Sequence, residues 1–240
     1  RWEIRIVKVG SGAVWGRGER QLSVSPERMV PFCPSAGRCG GCALQHMSYQ
    51  EELRFKRGRV NAALERIGGT DLRIETILPA DPESRQRCKA IFNVGRDKNG
   101  RPVAGFYRPR SHEIVPAESC GQVRPEALSA LRTVLGWMER QNYPAHDEDR
   151  HEPGLRHVFV RSSRLSGQAV VTLVSSRDIS LSDRKALLGA LRLACPEMSG
   201  LVLCLNREES NVVLGGEMRT LWGSELLTES LCSLQFELSP

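Results

Sequence analysis

Three cysteines stand close together in Cys33-Pro-Ser-Ala-Gly-Arg-Cys39-Gly-Gly-Cys42. Thiolates are soft ligands that zinc and iron–sulfur clusters both accept, and paired glycines let backbone pass close to a bound centre. The Cys-x5-Cys-x2-Cys spacing is neither the ferredoxin run nor the plant-type pattern. A zinc ribbon needs a second Cys-x2-Cys pair, which this sequence does not contain. A fourth ligand would have to come from far along the chain, and Cys120 is the best-placed candidate. The bland alternative is three buried thiols with no metal. The remaining cysteines (Cys88, Cys195, Cys204 and Cys232) are dispersed, and Cys195, Cys204 and Cys232 read as structural. A secreted disulfide scaffold fits poorly, because a chain of 240 residues can build a core without staples.

A second feature with chemical content is the stretch from residue 85 to residue 110. It carries Arg85, Arg87, Lys89, Arg96, Lys98, Arg101, Arg108 and Arg110 against Asp97 alone, with Phe92, Phe106 and Tyr107 interleaved. Cations neutralise phosphates and aromatic faces stack bases, which is how single-stranded RNA is held. A solvated edge hairpin whose charges block strand addition explains the same composition about as well. The charge distribution leans toward a polyanion: residues 1–110 hold 21 basic and 11 acidic side chains, whereas residues 111–240 hold 13 and 17. Arginine outnumbers lysine 29 to 5. Arginine forks onto phosphate better than lysine does, although a codon bias gives the same ratio.

Other chemistries leave no trace. The sequence has no Gly-x-Gly-x-x-Gly, no Walker loop, no Gly-x-Ser-x-Gly and no His-Glu-x-x-His. The five histidines are scattered; His157 falls in a strand, where a structural role is the default, and His112-Glu113 would point to opposite faces.

The elements that must position these residues follow from periodicity. Residues 1–9 alternate as a strand, and 10–28 hold another strand or two. Ser48 with Glu51 forms a capping box for a helix over 49–67, with Leu53, Val60, Leu64 and Ile67 as its stripe and Gly68-Gly69 as its stop. Residues 72–78 read as strand-like. Strands are expected over 85–95 and 102–115, joined by a turn at Asp97-Lys-Asn-Gly100. Pro125 opens a helix with Leu128, Leu131, Leu135 and Met138 on one face. Strands over 155–163 and 168–175 follow, then a helix capped by Ser182 and ended by Pro196, then strands near 200–205 and 211–214. Hairpins with helices between them indicate an α+β fold rather than a doubly wound parallel sheet.

Composition sets the remaining bounds. With 40% hydrophobic and 26% charged residues and a net charge of +6, the chain is an ordinary globular one, not collagen-like, coiled-coil or disordered. Its longest apolar run, Ala169–Val174, is strand-sized, so no membrane association is expected. The first residue is Arg1 and the chain stops at Phe236-Glu-Leu-Ser-Pro240, which reads as a fragment.

These residues carry a resemblance. Pro31 to Tyr49, with its three cysteines followed by Gln45-His46, closely resembles the cluster motif of the RNA (uracil-5-)-methyltransferases, the RumA-like 23S ribosomal RNA enzymes. So does Gly105-Phe-Tyr-Arg108-Pro-Arg-Ser-His112-Glu-Ile-Val-Pro-Ala-Glu-Ser-Cys120, and Gly154–Arg161 and Leu221-Trp-Gly-Ser224 are similar to the bacterial members. The resemblance implies a [4Fe–4S] cluster on Cys33, Cys39, Cys42 and Cys120. It implies a partial TRAM (OB-like) β-barrel over 1–30 and a central RNA-binding domain of antiparallel sheet with helices over 31–235. Residues 236–240 would begin a catalytic domain, the SAM-binding Rossmann-like domain itself being absent from this chain. No catalytic or S-adenosyl-L-methionine-binding residue is then expected here.

For the full enzyme the resemblance implies methylation of C5 of a uridine in 23S rRNA. A thiolate adds to C6, C5 takes the methyl of S-adenosyl-L-methionine, and a base removes the C5 proton. Arg85, Arg87, Lys89, Phe106, Arg108 and Arg110 are the expected RNA contacts, although Gln86 and Cys88 replace the family's usual Tyr and Asn. The expected partner is ribosomal RNA, in the cytoplasm, with no obligate protein partner. The alternative is a stand-alone metal- or cluster-bearing RNA-binding module; electron transfer through a cluster is a weak third.

Overall fold

A computed structural model describes residues 1–80, 87–208, 210 and 212–240. The chain divides into two compact units: Arg1–Ala36 with Cys42–Asp81, and Gly37–Gly41 with Pro82–Pro240.

The first unit has no buried residue among those described. Strands β1 (Trp2–Val9) and β2 (Val14–Gln21) form an antiparallel hairpin, exposed along its whole length. Salt bridges Arg5–Glu19 and Arg20–Glu3, each 2.9 Å, cross it. Helix α1 (Tyr49–Arg66) starts where the capping box places it, with Ser48 Oγ accepting from the Glu51 N–H at 3.2 Å. Glu27 accepts from Ser48 Oγ, and that bond with the Arg54 contact holds its carboxyl below the ordinary value. The strand expected over 72–78 does not form. That segment runs extended and is pinned by α1 instead: Asn61 exchanges two hydrogen bonds with Ile74 (2.8 and 3.2 Å) and Arg57 donates to the Glu75 carbonyl at 2.8 Å.

The second unit is built on a seven-stranded sheet in the order β5-β4-β3-β6-β7-β8-β9. Its strands are β3 (Lys89–Arg96), β4 (Pro102–Tyr107), β5 (Ile114–Pro116), β6 (Leu155–Ser162), β7 (Ala169–Ser175), β8 (Met198–Leu205) and β9 (Glu217–Gly223). Helices α2 (Pro125–Arg140) and α3 (Leu181–Ala194) pack on each other, α2 also lying across β4, β6 and β7 and α3 along β8. The stripe read from the sequence is the one buried: Leu128, Leu131, Leu135 and Met138 join Phe92, Val158, Val160, Leu173 and Leu203 in one core. Trp137 lies in the same core, its indole N–H bound to the Asp183 carbonyl at 3.2 Å.

Strand alternation gives the sheet a second face. Val170 and Val202 point away from the helices and are covered by Leu227 and Leu238 of a separate hairpin, β10 (Leu227–Leu231) with β11 (Leu234–Leu238).

Several expectations need correction. The expected all-antiparallel central sheet is mixed: β7 and β8 run parallel, joined through α3 as a strand–helix–strand unit. The cause is visible in the residues. β7 is buried at every position and β8 at every position but one, as suits strands covered on both faces and crossed over by a helix. The strand expected over 102–115 is broken by a turn at 108–113, where Pro109 interrupts pairing and Arg110 takes a φ of 61°. Helix α3 is capped by Ser180, not Ser182. The last expected strand falls at 217–223 rather than 211–214, and residue 211 lies outside the described residues.

Candidate functional site

Arg87 organises the region around the cysteine loop within the second unit. Its backbone N–H donates to the Gln122 carbonyl at 3.1 Å, and a parallel bridge pairs it with Val123. Its guanidinium donates to the Gly41 carbonyl at 2.6 Å and lies over the Phe106 ring, 5.3 Å from the centroid. Phe106 in turn packs 5.5 Å from the fully buried Phe92. Arg87 thus links the 39–41 loop, β4 and the turn after Cys120. The loop also docks by its backbone: Gly40 N–H donates to the Tyr107 carbonyl at 3.1 Å, and a Cβ there would meet that oxygen at 2.9 Å. Only glycine allows that approach.

The cysteines themselves are placed as follows. Cys39 accepts from the Gly41 N–H at 3.3 Å in the second unit; Cys120 packs half-buried against the core there. Cys33 and Cys42 belong to the first unit, where the Cys33 N–H donates to Gln45 Oε1 at 3.3 Å. The thiols have the right chemistry for a cluster, but among the described residues no three His, Cys, Asp or Glu side chains converge to hold a metal. Cys195 and Cys204 are core residues whose thiols burial pushes up, which agrees with a structural role; Cys232 instead sits exposed in the β10–β11 turn.

Of the other expected RNA contacts, Lys89, Arg108 and Arg110 are exposed, Arg108 pairing with Glu113 at 3.0 Å. Arg85 lies outside the described residues. The hairpin is not an edge: β3 is paired on both sides and β5 is the terminal strand, so edge protection does not explain the charge on β3.

A site missed in the sequence lies on the sheet face opposite the helices. A cavity of about 540 Å³ is walled by the β3–β4 hairpin, the segment 112–116, the loop 145–149 and the start of β6. A register shift between Leu155 and His157 marks a bulge at Arg156, the device by which strands re-aim a side chain. Arg156 is only 8% exposed; it donates to the carbonyls of Glu208 (2.8 Å) and Ser210 (3.3 Å). Its Nε and the Nδ1 of His157 are buried with no hydrogen-bond partner among the described residues. Burial, with smaller contributions from Arg156 and His146, pushes the His157 imidazole down from 6.5 to about 4. The loop is held by His146 N–H to the Leu155 carbonyl at 2.9 Å, and its close approach leaves no room for a Cβ on Gly154, which would lie 2.4 Å from the Pro144 carbonyl. At the mouth the Tyr107 and His112 rings stack, 5.2 Å apart and 14° from parallel. Glu148 lies 3.8 Å from His112 Nδ1. His157 reads as a core residue and His112 as an unpaired one in the sequence; only the β3–β6 and β3–β4 registers bring them together.

No protein-family model matches the chain. It is similar to proteins named as uncharacterized RNA methyltransferases: 34% identical over 238 residues to one from Clostridium tetani (99% of this chain, 51% of that protein). A second, from Halalkalibacterium halodurans, is 33% identical over 240 residues (100% and 52%). The chain spans about half the length of the curated relatives it matches. Among solved structures it resembles the Pyrococcus abyssi tRNA (uracil-54, C5)-methyltransferase in complex with S-adenosyl-L-homocysteine, with a TM-score of 0.71 at 21% identity, over 99% of this chain and 51% of that one. That likeness carries the fold. It conflicts with the expectation that the SAM-binding Rossmann-like domain is absent from this chain: the whole chain, with its seven-stranded sheet, matches the fold of a methyltransferase solved with S-adenosyl-L-homocysteine. The companion expectation, that this chain alone lacks the catalytic residues, has no support in these findings. Among the described residues no helix is long and apolar enough to cross a membrane.

Proposed function

We propose that the chain is part of an S-adenosyl-L-methionine-dependent RNA methyltransferase that acts in the cytoplasm on C5 of a uridine. The observation that carries this is similarity along the whole chain to proteins named RNA methyltransferases, at 31–34% identity for the first of them. The shared fold with a uracil C5 methyltransferase supports the choice of atom. The cofactor supplies the methyl group; the part of this chain is to bind and orient RNA, and the exposed Lys89, Arg108 and Arg110 are suited to phosphate.

The substrate is 23S rRNA in this proposal, on the motif resemblance of residues 31–49 and 105–120. Deleting the gene and quantifying 5-methyluridine by mass spectrometry in purified 23S rRNA and tRNA tests it. Loss from 23S rRNA alone is expected. Loss from tRNA alone would move the substrate to tRNA, and no loss in either would overturn the activity. The same resemblance carries a [4Fe–4S] cluster on Cys33, Cys39, Cys42 and Cys120. Iron and acid-labile sulfide at about four each per chain, lost in Cys39→Ser and kept in Cys204→Ser, are expected; equal loss in both variants would remove the ligand assignment.

A further inference from the structure

We propose that the cavity between the β3–β4 hairpin and the loop 145–149 is a subsite for one unpaired guanine base of the bound RNA. It rests on the RNA reading above and goes beyond it by naming a base and its contacts.

Four observations converge. The volume, about 540 Å³, is in the range of small-ligand sites and ample for one nucleobase. Its wall is formed in part by Arg156 and His157, whose buried Nε and Nδ1 find no partner among the described residues. Buried polar groups are nearly always satisfied, so a pair of orphans on one cavity wall points to a ligand that completes them. The mouth presents a ready-made stack, Tyr107 against His112, with His112 exposed to take a further ring. The lining also holds two carboxylates, Glu148 and Asp149, on the loop.

The donor and acceptor pattern selects the base. Arg156 offers N–H donors held in place by the carbonyls of Glu208 and Ser210, and arginine pairs best with the O6 and N7 acceptors of guanine. A carboxylate of the lining, Glu148 or Asp149, accepts from the N1–H and N2 amino group of the same base. Uracil lacks the amino donors, and adenine presents an amino group where the arginine requires an acceptor. The His157 imidazole, neutral at pH 7, can serve as donor or acceptor without introducing a second charge. The rest of the face supports the geometry: β3 and β6 pair Asn93 with His157, so the floor is hydrogen-bonded sheet.

The test uses the 240-residue chain and short single-stranded oligoribonucleotides carrying one guanosine in a uridine background, read by fluorescence anisotropy. Replacing that guanosine by inosine removes the amino donor, and replacing it by 7-deazaguanosine removes N7. Each is expected to weaken binding about five- to tenfold or more. His112→Ala, a change at an exposed ring that leaves the fold intact, is expected to weaken the guanosine oligomer about tenfold and the all-uridine oligomer little. RNA binding with no loss on either base substitution would overturn the guanine subsite and leave the RNA reading standing. Failure to bind any of the RNAs would overturn the RNA reading itself. Free GMP binding as tightly as the oligomer would overturn the RNA source and place a mononucleotide in the cavity.

Discussion

The depressed His157 imidazole makes a quantitative claim about acid stability. In the unfolded chain a histidine titrates near 6.5, whereas His157 in the folded chain titrates at about 4. Above the unfolded value both states are neutral and the stability is fully present. As pH falls below it, the unfolded chain takes up a proton that the native chain refuses, and stability declines until the folded value is reached. Each unit of displacement is about 1.36 kcal/mol, so the full loss is about 3 kcal/mol, with about 2–3 kcal/mol of it gone by pH 4.5. The perturbation is His157→Gln, which keeps a polar side chain and removes the titration. Urea unfolding at pH 7 and 4.5, followed by the fluorescence of core Trp137, gives both stabilities. Wild type should lose about 2–3 kcal/mol more than the variant over that interval. Carboxylates and His146 titrate in both proteins and cancel in the comparison. Equal losses would mean that His157 reaches solvent in the native state, and the buried, unpartnered imbalance at the cavity wall would fall with it.

Further outcomes follow from packing. Gly154→Ala forces a Cβ to within 2.4 Å of the Pro144 carbonyl, and should lower the urea midpoint by the equivalent of about 2 kcal/mol or more. Gly189→Ala, at an exposed position of α3 with nothing within 4 Å, should raise stability by about 1 kcal/mol in the same assay. Arg87→Ala removes the bond to the Gly41 carbonyl and the cover on Phe106, and should speed amide exchange at Gly40 and Val123; unchanged exchange would show that the loop holds without it. Trp137→Ala should cost about 3–5 kcal/mol, read by thermal unfolding.

How much was legible in the residues depended on whether a signal was local. The Ser48–Glu51 box and the Leu128–Met138 stripe each fix an element from within a few turns, and both elements form where they point. The β10–β11 hairpin was missed because its turn uses Cys232 and Ser233 at φ of 51° and 65°, positions where Asn-Gly would have announced it. The segment 72–78 has strand-like residues but no neighbouring strand; the Asn61 side chain satisfies it instead. The parallel pairing of β7 and β8 was open to a reader who took two continuous apolar runs flanking a helix as buried on both faces. The cavity was not, since its walls come from segments that only the sheet register unites. Arg87 shows the converse: composition marks it as a phosphate contact, whereas its neighbours in space use it as a brace.

The pairing of β3 with β6 also bears on how the chain is made. Lys89 meets Arg161, and Phe92 meets Val158, across β4, β5 and α2, so one side of β3 has no partner until β6 has been synthesised. At roughly 5–20 residues per second, the ribosome leaves that strand edge and the Phe92 ring waiting for roughly 3–14 seconds. The hairpin to β4 and the folding of α2 onto it are the means by which the nascent chain covers its largest apolar residues during the delay. Slower translation across 97–155 prolongs that exposure, so slow synonymous codons there are expected to lower the soluble yield, read by comparing soluble with total protein after expression.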